Sequence, residues 1–308
     1  MIKTPTVFVL GAGASVPYGY PTGVQLRAQV LQDLVGSPDI NNCLSGVGHK
    51  NVMQFAEALE KSRETSVDAF LEYRREFERA GKLAMAYELL RREDERKLFS
   101  KGPISGDWLT YLLSAMKGPF DSFGDNSVSF ITFNYDRVLE HALFNAVKHR
   151  YGKPDEDCAA VLKKIPIVHV HGSLGPLPWQ ESGGLPYGKV PLPPGEVKPA
   201  ADRIKIVYEG AEQDPEFNEA RKLITTADRI YFLGFGYNKD NVERLHLGEC
   251  KEGARIYGSA LGFSDRELKN ASRLLDVQIG LGKNPRRAVS LYHYDCLQFL
   301  RNKPVRLD

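Results

Sequence analysis

An α/β fold built on a doubly wound parallel sheet is the architecture this sequence predicts, and three observations predict it. Six short apolar runs read as buried strands, helix-period stretches separate most of them, and one long stretch holds helical patterns alone. The runs are Thr6 to Leu10, Ser129 to Phe133, Ile165 to Val170, Arg229 to Leu233, Ala254 to Tyr257 and Val289 to Tyr292. Strands alternating with helices call for a parallel sheet covered on both faces, a Rossmann-like arrangement.

After the first strand, Val24, Leu31, Leu34 and Val35 mark an amphipathic helix ending at Gly36, a residue suited to a left-handed cap. Residues 45 to about 120 show only helical spacing: Val52, Phe55, Ala56 and Leu59, then Phe70, Tyr73 and Phe77, then Trp108, Leu109 and Leu112. This predicts an inserted helical subdomain over 45–120, a candidate lid, with 1–44 and 121–308 forming the main domain. The mixed charges from Arg91 to Lys97 read as a solvated helix face, and Asp68 either faces the cleft from the insertion or, the favoured reading, decorates its helix. Val138, Leu139, Ala142, Leu143, Ala146 and Val147 mark the helix after the second strand. Residues 175–200 carry Pro176, Pro178, Pro186, Pro191, Pro193, Pro194 and Pro199 and are expected to lack regular structure. A loop this long is usually functional or mobile, and this one directly follows the strand with the best catalytic candidate. Ser264 with Glu267 forms a capping box for a helix carrying Leu268, Leu274 and Leu275.

The 308 residues are 42% hydrophobic and 26% charged, enough for one large domain and a subdomain. Lys and Arg total 41 against 39 for Asp and Glu, so no charge excess argues for direct nucleic-acid or anionic-membrane binding. The N-terminal apolar run passes straight into glycines without a cleavage site, and no run is long enough to span a membrane. Cys43, Cys158, Cys250 and Cys296 are scattered, with no CxxC pair and no metal-ligand spacing, so they read as reduced, mostly buried thiols of a cytoplasmic protein without a metal.

Four motifs carry candidate chemistry. Gly11-Ala12-Gly13-Ala14-Ser15 is a tight turn from strand into helix, where backbone amides can approach a pyrophosphate; a plain βα turn is the alternative. Its continuation, Pro21-Thr22-Gly23, builds a rigid polar loop alongside. Thr132-Phe133-Asn134-Tyr135-Asp136 places an amide and a carboxylate at the carboxyl end of a strand, where ligands of open α/β sheets sit; helix capping would explain one of them. In His169-Val170-His171-Gly172-Ser173, alternation puts both histidines on one face. His169 reads as a satisfied core residue, and His171, nearer the rim, as the proton acceptor or hydroxyl partner. Gly234-Phe235-Gly236 offers a second backbone approach to a ligand or a simple turn, with Asp240 capping the helix that follows.

These motifs, in this order, resemble the sirtuin-like (silent information regulator) family, from residue 7 to about 241. The segment Ser66-Val67-Asp68-Ala69-Phe70-Leu71 is similar to bacterial members. The resemblance implies an NAD site in which Gly11, Ala12, Gly13 and Ser15 hold the pyrophosphate, Asn134 and Asp136 surround the nicotinamide ribose and a water, and His171 is the catalytic imidazole. It places Pro21, Thr22, Thr132, Gly172, Ser173, Gly234, Phe235, Gly236 and Asp240 around the same dinucleotide. Deacylating sirtuins carry a zinc module with two CxxC pairs, which this chain lacks. The resemblance therefore points to the bacterial branch that hydrolyses NAD to nicotinamide and ADP-ribose, often as abortive-infection effectors against phage. Such an enzyme needs restraint, so a homo-oligomer or a regulatory partner protein is expected. A catalytically silent module that binds NAD or ADP-ribose is the alternative; a protein deacylase or ADP-ribosyltransferase ranks below both. The sequence does not choose between NAD and NADP.

Overall fold

The computed structural model describes residues 1–100, 102–188, 192–206, 214–280, 288–302 and 307. β1 (Thr6–Leu10) leads through two 3₁₀ turns (Ala12–Ala14 and Val16–Tyr18) to α1 (Gly23–Gly36). The helical stretch follows as α2 (Pro38–Cys43), α3 (His49–Ser62), α4 (Val67–Tyr73), α5 (Glu78–Leu90), α6 (Glu95–Leu98) and α7 (Trp108–Ala115). Next come β2 (Val128–Thr132), α8 (Val138–Tyr151), α9 (Asp155–Leu162), β3 (Ile167–His169), α10 (Pro194–Arg203) and α11 (Pro215–Thr226). The chain continues with β4 (Arg229–Leu233), α12 (Lys239–Arg244), β5 (Arg255–Ser259), α13 (Asp265–Gln278), β6 (Ala288–Tyr292) and α14 (Cys296–Arg301).

The six strands form one parallel sheet in the order β3-β2-β1-β4-β5-β6, so the fold is α/β, doubly wound and Rossmann-like. Alternation splits the strand side chains between two cores. Phe8, Leu10, Phe130, Tyr231 and Leu233 join the helices of the first half, whereas Val7, Val9, Ile131, Ile230 and Phe232 pack with Phe217, Ile224, Val242 and Leu275 of α11, α12 and α13. Burying each such large side chain contributes about 1.5–3 kcal/mol. Leu10 pairs in register with both Thr132 and Leu233, so three strands end level. Strand order reverses between β1 and β4, and a ligand crevice is expected outside those carboxyl ends.

The helical stretch packs on α1 and α10 and shares the first core rather than forming a separate one. Its own centre is a ring trio, Phe55, Phe70 and Phe77, with centroids 5.9–6.0 Å apart. Among the described residues no helix is long and apolar enough to cross a membrane.

Several local expectations need correction. Helix α1 lies as expected, but its buried face is Leu26, Val30 and Leu34; Val24 and Val35 are exposed. Gly36 stays helical and the chain leaves through extended Ser37, so no left-handed cap is used. Tyr73 is exposed at the end of α4. Helix α10 occupies part of the proline-rich stretch: Pro194 sits in its first turn, where a missing N–H costs nothing, and Pro199 is exposed. Pro191 lies outside the described residues. The Arg91–Lys97 run is a turn followed by the short α6, and Glu93 within it is buried. The four cysteines are free, with Cys158, Cys250 and Cys296 buried, and the Ser264–Glu267 capping box is present.

Because the helical stretch and the sheet share one core, Phe55→Ala should cost about 3–5 kcal/mol and still give a single calorimetric transition. Two resolved transitions would show that the helices form an independent unit. Gly36→Ala, in helical backbone with nothing near its added methyl, should instead stabilise by up to about 1 kcal/mol.

Candidate functional site

At the point where strand order reverses, the turns after β1 and β4 touch backbone to backbone. Gly11 N donates to Leu233 O (3.0 Å) and Gly13 N to Gly234 O (2.9 Å). A Cβ on Gly11 would lie 2.7 Å from Gly234 O, and one on Gly13 would lie 2.8 Å from Gly234 Cα. Gly234 itself adopts φ +58°, where a side chain is strained. Mutual packing thus requires these three glycines before any ligand does. A Cβ on Gly236 would meet nothing.

Above this contact lies a cleft of about 760 Å³, lined by Ala12, Gly13, Thr22, Gly234, Phe235 and Gly236 among others. Its volume falls in the range of small-molecule sites. Thr22 caps α1 through a reciprocal pair with Gln25. The helical stretch supplies Ser105 and Gly106 to the wall. It is tied to the β1 turn by Trp108 Nε1 donating to Ala14 O (2.7 Å) and Tyr18 Oη donating to Asp107 (3.0 Å). The far wall comes from the ends of β5 and β6: Ser259, Leu261, Tyr294, Asp295 and Cys296. Ser259 Oγ accepts from Gly234 N (2.9 Å) and so joins the two walls. Burial pushes the Cys296 thiol up to about 12, opposed by its bond to Ser259, so it stays neutral.

A buried polar chain hangs from the same turn. Asn134 Nδ2 donates to Gly11 O (3.0 Å) and to Ser15 Oγ (3.1 Å), while its own N–H donates to Thr132 Oγ1 (3.1 Å). The Ser15 hydroxyl in turn bonds Asp136. Asp136 also accepts from Val138 N (3.2 Å), serving the first turn of α8. Burial raises the Asp136 pKa to about 6, against the Ser15 and Val138 bonds that favour its charge. Asn134 and Asp136 are each 8% exposed.

The two histidines part company. Val170 and His171 form a turn, which ends the alternation, so the expectation of one shared face fails. His169 turns to the α8 face, its Nδ1 on Asn134 O (2.9 Å) and its Nε2 on Glu140 (2.5 Å). Two acceptors on the two ring nitrogens call for the doubly protonated ring. Burial opposes that charge, but the Glu140 carboxylate outweighs burial and raises the His169 pKa. His171 lies on the opposite face between Phe133 (5.3 Å) and Phe217 (5.7 Å). Burial and the nearby Arg244 lower its pKa to about 4, against a bond to Asn241 that favours the charged ring. It is neutral near pH 7.

Arg137, next to Asp136, is 1% exposed and paired through Nη2 with Glu93 (2.6 Å). Its Nη1 donates to Leu185 O (2.6 Å), and Glu93 also accepts from Gly188 N (3.1 Å), so one ion pair fastens the loop after β3. Asp68 does not decorate the surface: its carboxylate accepts from Tyr135 Oη, tying α4 to the second motif.

The structure therefore gathers the expected residues into two groups joined by the β1 turn: Ala12, Gly13, Thr22, Gly234, Phe235 and Gly236 at the cleft, and Ser15, Thr132, Asn134 and Asp136 in the buried chain. Gly11 bridges them through its carbonyl. Pro21 precedes the capping Thr22. Gly172, at φ +73°, packs on Arg203 O, and Ser173 Oγ accepts from Gly175 N. Asp240 is exposed, and Asn238 rather than Asp240 caps α12. The cleft residues after β5 and β6 were not singled out from sequence, although both strands were read and their carboxyl ends pointed to this rim. Ser105 and Gly106 left no local signal.

A family model described as a SIR2-like domain matches residues 128–252, from β2 past α12. Residues 128–252 are thus similar to a SIR2-like domain, a kind that binds NAD, in line with the sirtuin-like resemblance of the motifs. The match contains Asn134, Asp136, His171 and Gly234 and leaves the β1 turn outside. No curated protein matches the chain.

Glu93→Ala would leave Arg137 buried without its counter-charge and should cost about 3–5 kcal/mol, read by chemical denaturation. A loss under about 1 kcal/mol would mean that Arg137 is satisfied without Glu93. Gly234→Ala should destabilise strongly, whereas Gly236→Ala should fold normally.

Proposed function

We propose that this protein is an NAD glycohydrolase that cleaves NAD to nicotinamide and ADP-ribose. The observation that carries the reading is the chain Gly11–Asn134–Ser15–Asp136, anchored on the same turn that lines a dinucleotide-sized cleft at the reversal of strand order. The SIR2-like match over β2 to α12 supports it.

The bond between nicotinamide nitrogen and ribose C1′ breaks, and its electron pair leaves with nicotinamide, whose ring becomes neutral. The ribose passes through an oxocarbenium-like state, which needs positioning and fixed negative charge more than strong acid. Asn134 spends its amide hydrogens on Gly11 O and Ser15, leaving its carbonyl oxygen to orient a water. Asp136 supplies negative charge beside the developing cation. Water adds to C1′ and gives up one proton, and His171, uncharged near pH 7, is free to accept it. The absence of paired CxxC cysteines weighs against protein deacylation.

A catalytically silent NAD- or ADP-ribose-binding module is the competing reading. It draws on the position of His171, packed on Phe133 and Phe217 and bonded to Asn241 on the face away from Asp136. A freely active NAD-consuming enzyme would harm its host, so restraint by self-assembly or by a partner protein, in an antiphage role, belongs to the proposal.

Chromatography of nicotinamide and ADP-ribose released from NAD is the decisive assay. His171→Ala and Asn134→Ala should each abolish release; full activity in both would sink the residue roles. With Asp136 required as its anion, kcat/KM should rise with pH through about 6. Ser15→Ala removes a bond that favours the anion, so the limb should move to higher pH. A limb that stays in place would detach it from Asp136.

A further inference from the structure

Asn134 lies between β2 and α8, where neither a ladder nor a helix fixes its peptide. Its amide hydrogens go to Gly11 O and Ser15 Oγ and its own N–H to Thr132 Oγ1. Its carbonyl is left for β3 to satisfy, and His169 Nδ1 donates to it (2.9 Å). A buried carbonyl needs such a donor, and this one also fixes the plane of the peptide that follows Asn134. On the other side of the ring, Nε2 donates to the Glu140 carboxylate (2.5 Å). A neutral imidazole carries a single N–H, so only the imidazolium serves both acceptors.

The pair is closed to water: the His169 side chain is 14% exposed and that of Glu140 4%. Glu140 Oε2 is buried without a donor, so the Glu140 charge leans on His169 first and on the nearby Arg137 second. Arg137 is itself paired with Glu93. The remaining charge facing the ring is Asp136, which also favours the imidazolium. Burial opposes the ring's charge, but Glu140, Asn134 O and Asp136 together outweigh it, so the proton leaves only above the ordinary histidine range. Once it leaves, one ring nitrogen turns a lone pair toward Asn134 O or toward Glu140, and that contact must open.

We propose that the His169 imidazolium, paired with Glu140, is a positioning residue of the site: it holds Asn134 in its working orientation, and loss of its proton releases Asn134. The role rests on the hydrolase reading; the state of the ring does not. For NAD cleavage, kcat/KM should fall as pH rises above the ordinary histidine range, opposite in direction to the limb set by Asp136. A lysine ammonium stays charged through that range and has donors for both acceptors. His169→Lys should therefore retain activity and carry the falling limb to higher pH. Glu140→Gln removes the carboxylate that sustains the ring's proton and should bring the limb to lower pH. A histidine that only filled space would not move the limb in these two directions. Without NAD, 15N NMR of chain labelled at histidine and asparagine should show His169 doubly protonated at pH 7 and the Asn134 side-chain amide shifting as His169 titrates. A neutral ring at pH 7, an Asn134 amide indifferent to that titration, or a falling limb that His169→Lys leaves in place overturns the proposal. No cleavage by the wild type would instead sink the hydrolase reading, and the NMR titration would still decide whether His169 holds Asn134.

Discussion

The contact between Gly11, Gly13 and Gly234 is the constraint on which the rest of the molecule depends. Two neighbouring parallel strands send their chains to opposite faces of the sheet, and their turns can meet this closely only without side chains. That meeting sets the floor of the cleft and directs Gly11 O toward Asn134. It also brings Gly234 N to Ser259, which fixes the end of β5 relative to the others.

Beneath that floor the protein buries charge on an unusual scale. Asp136, Arg137, Glu140 and His169 lie at or shortly after the ends of β2 and β3, Glu93 joins them from the helical stretch, and the loop after β3 supplies further partners. Such groups contribute little net stability when paired, but an unpaired one is costly. They therefore select one arrangement: any packing that separates Arg137 from Glu93, or His169 from Glu140, strands an ion in the core. This specificity keeps Asn134 and Asp136 in place although neither lies in a regular element.

Strands β1 and β4 were legible to the residue because each is apolar after its first residue, as central strands covered on both faces must be. The capping box at Ser264 was legible because its two partners are three residues apart. Glu93 was not: a charge run looks solvated until Arg137, 44 residues further on, supplies its counter-ion. Asp68 was misread for the same reason, since its partner Tyr135 lies 67 residues away. The histidine pair failed on a local count, because alternation stops where β3 stops and the sequence marks that end only with Gly172. In the candidate site, residues after strand ends could be read, whereas Ser105 and Trp108 reach it only through tertiary packing.

The Asn134 bonds span 123 and 119 residues, and β1 must also receive β4, more than two hundred residues further along the chain. Contacts of such sequence separation form late. On a ribosome, β1 and its glycine turn would emerge early and wait for β2 and then β4 to be synthesised. Any product that stops short of β4 would have neither the cleft nor its floor. The cleft and its floor are thus completed in one step, when β4 reaches β1, rather than built up turn by turn.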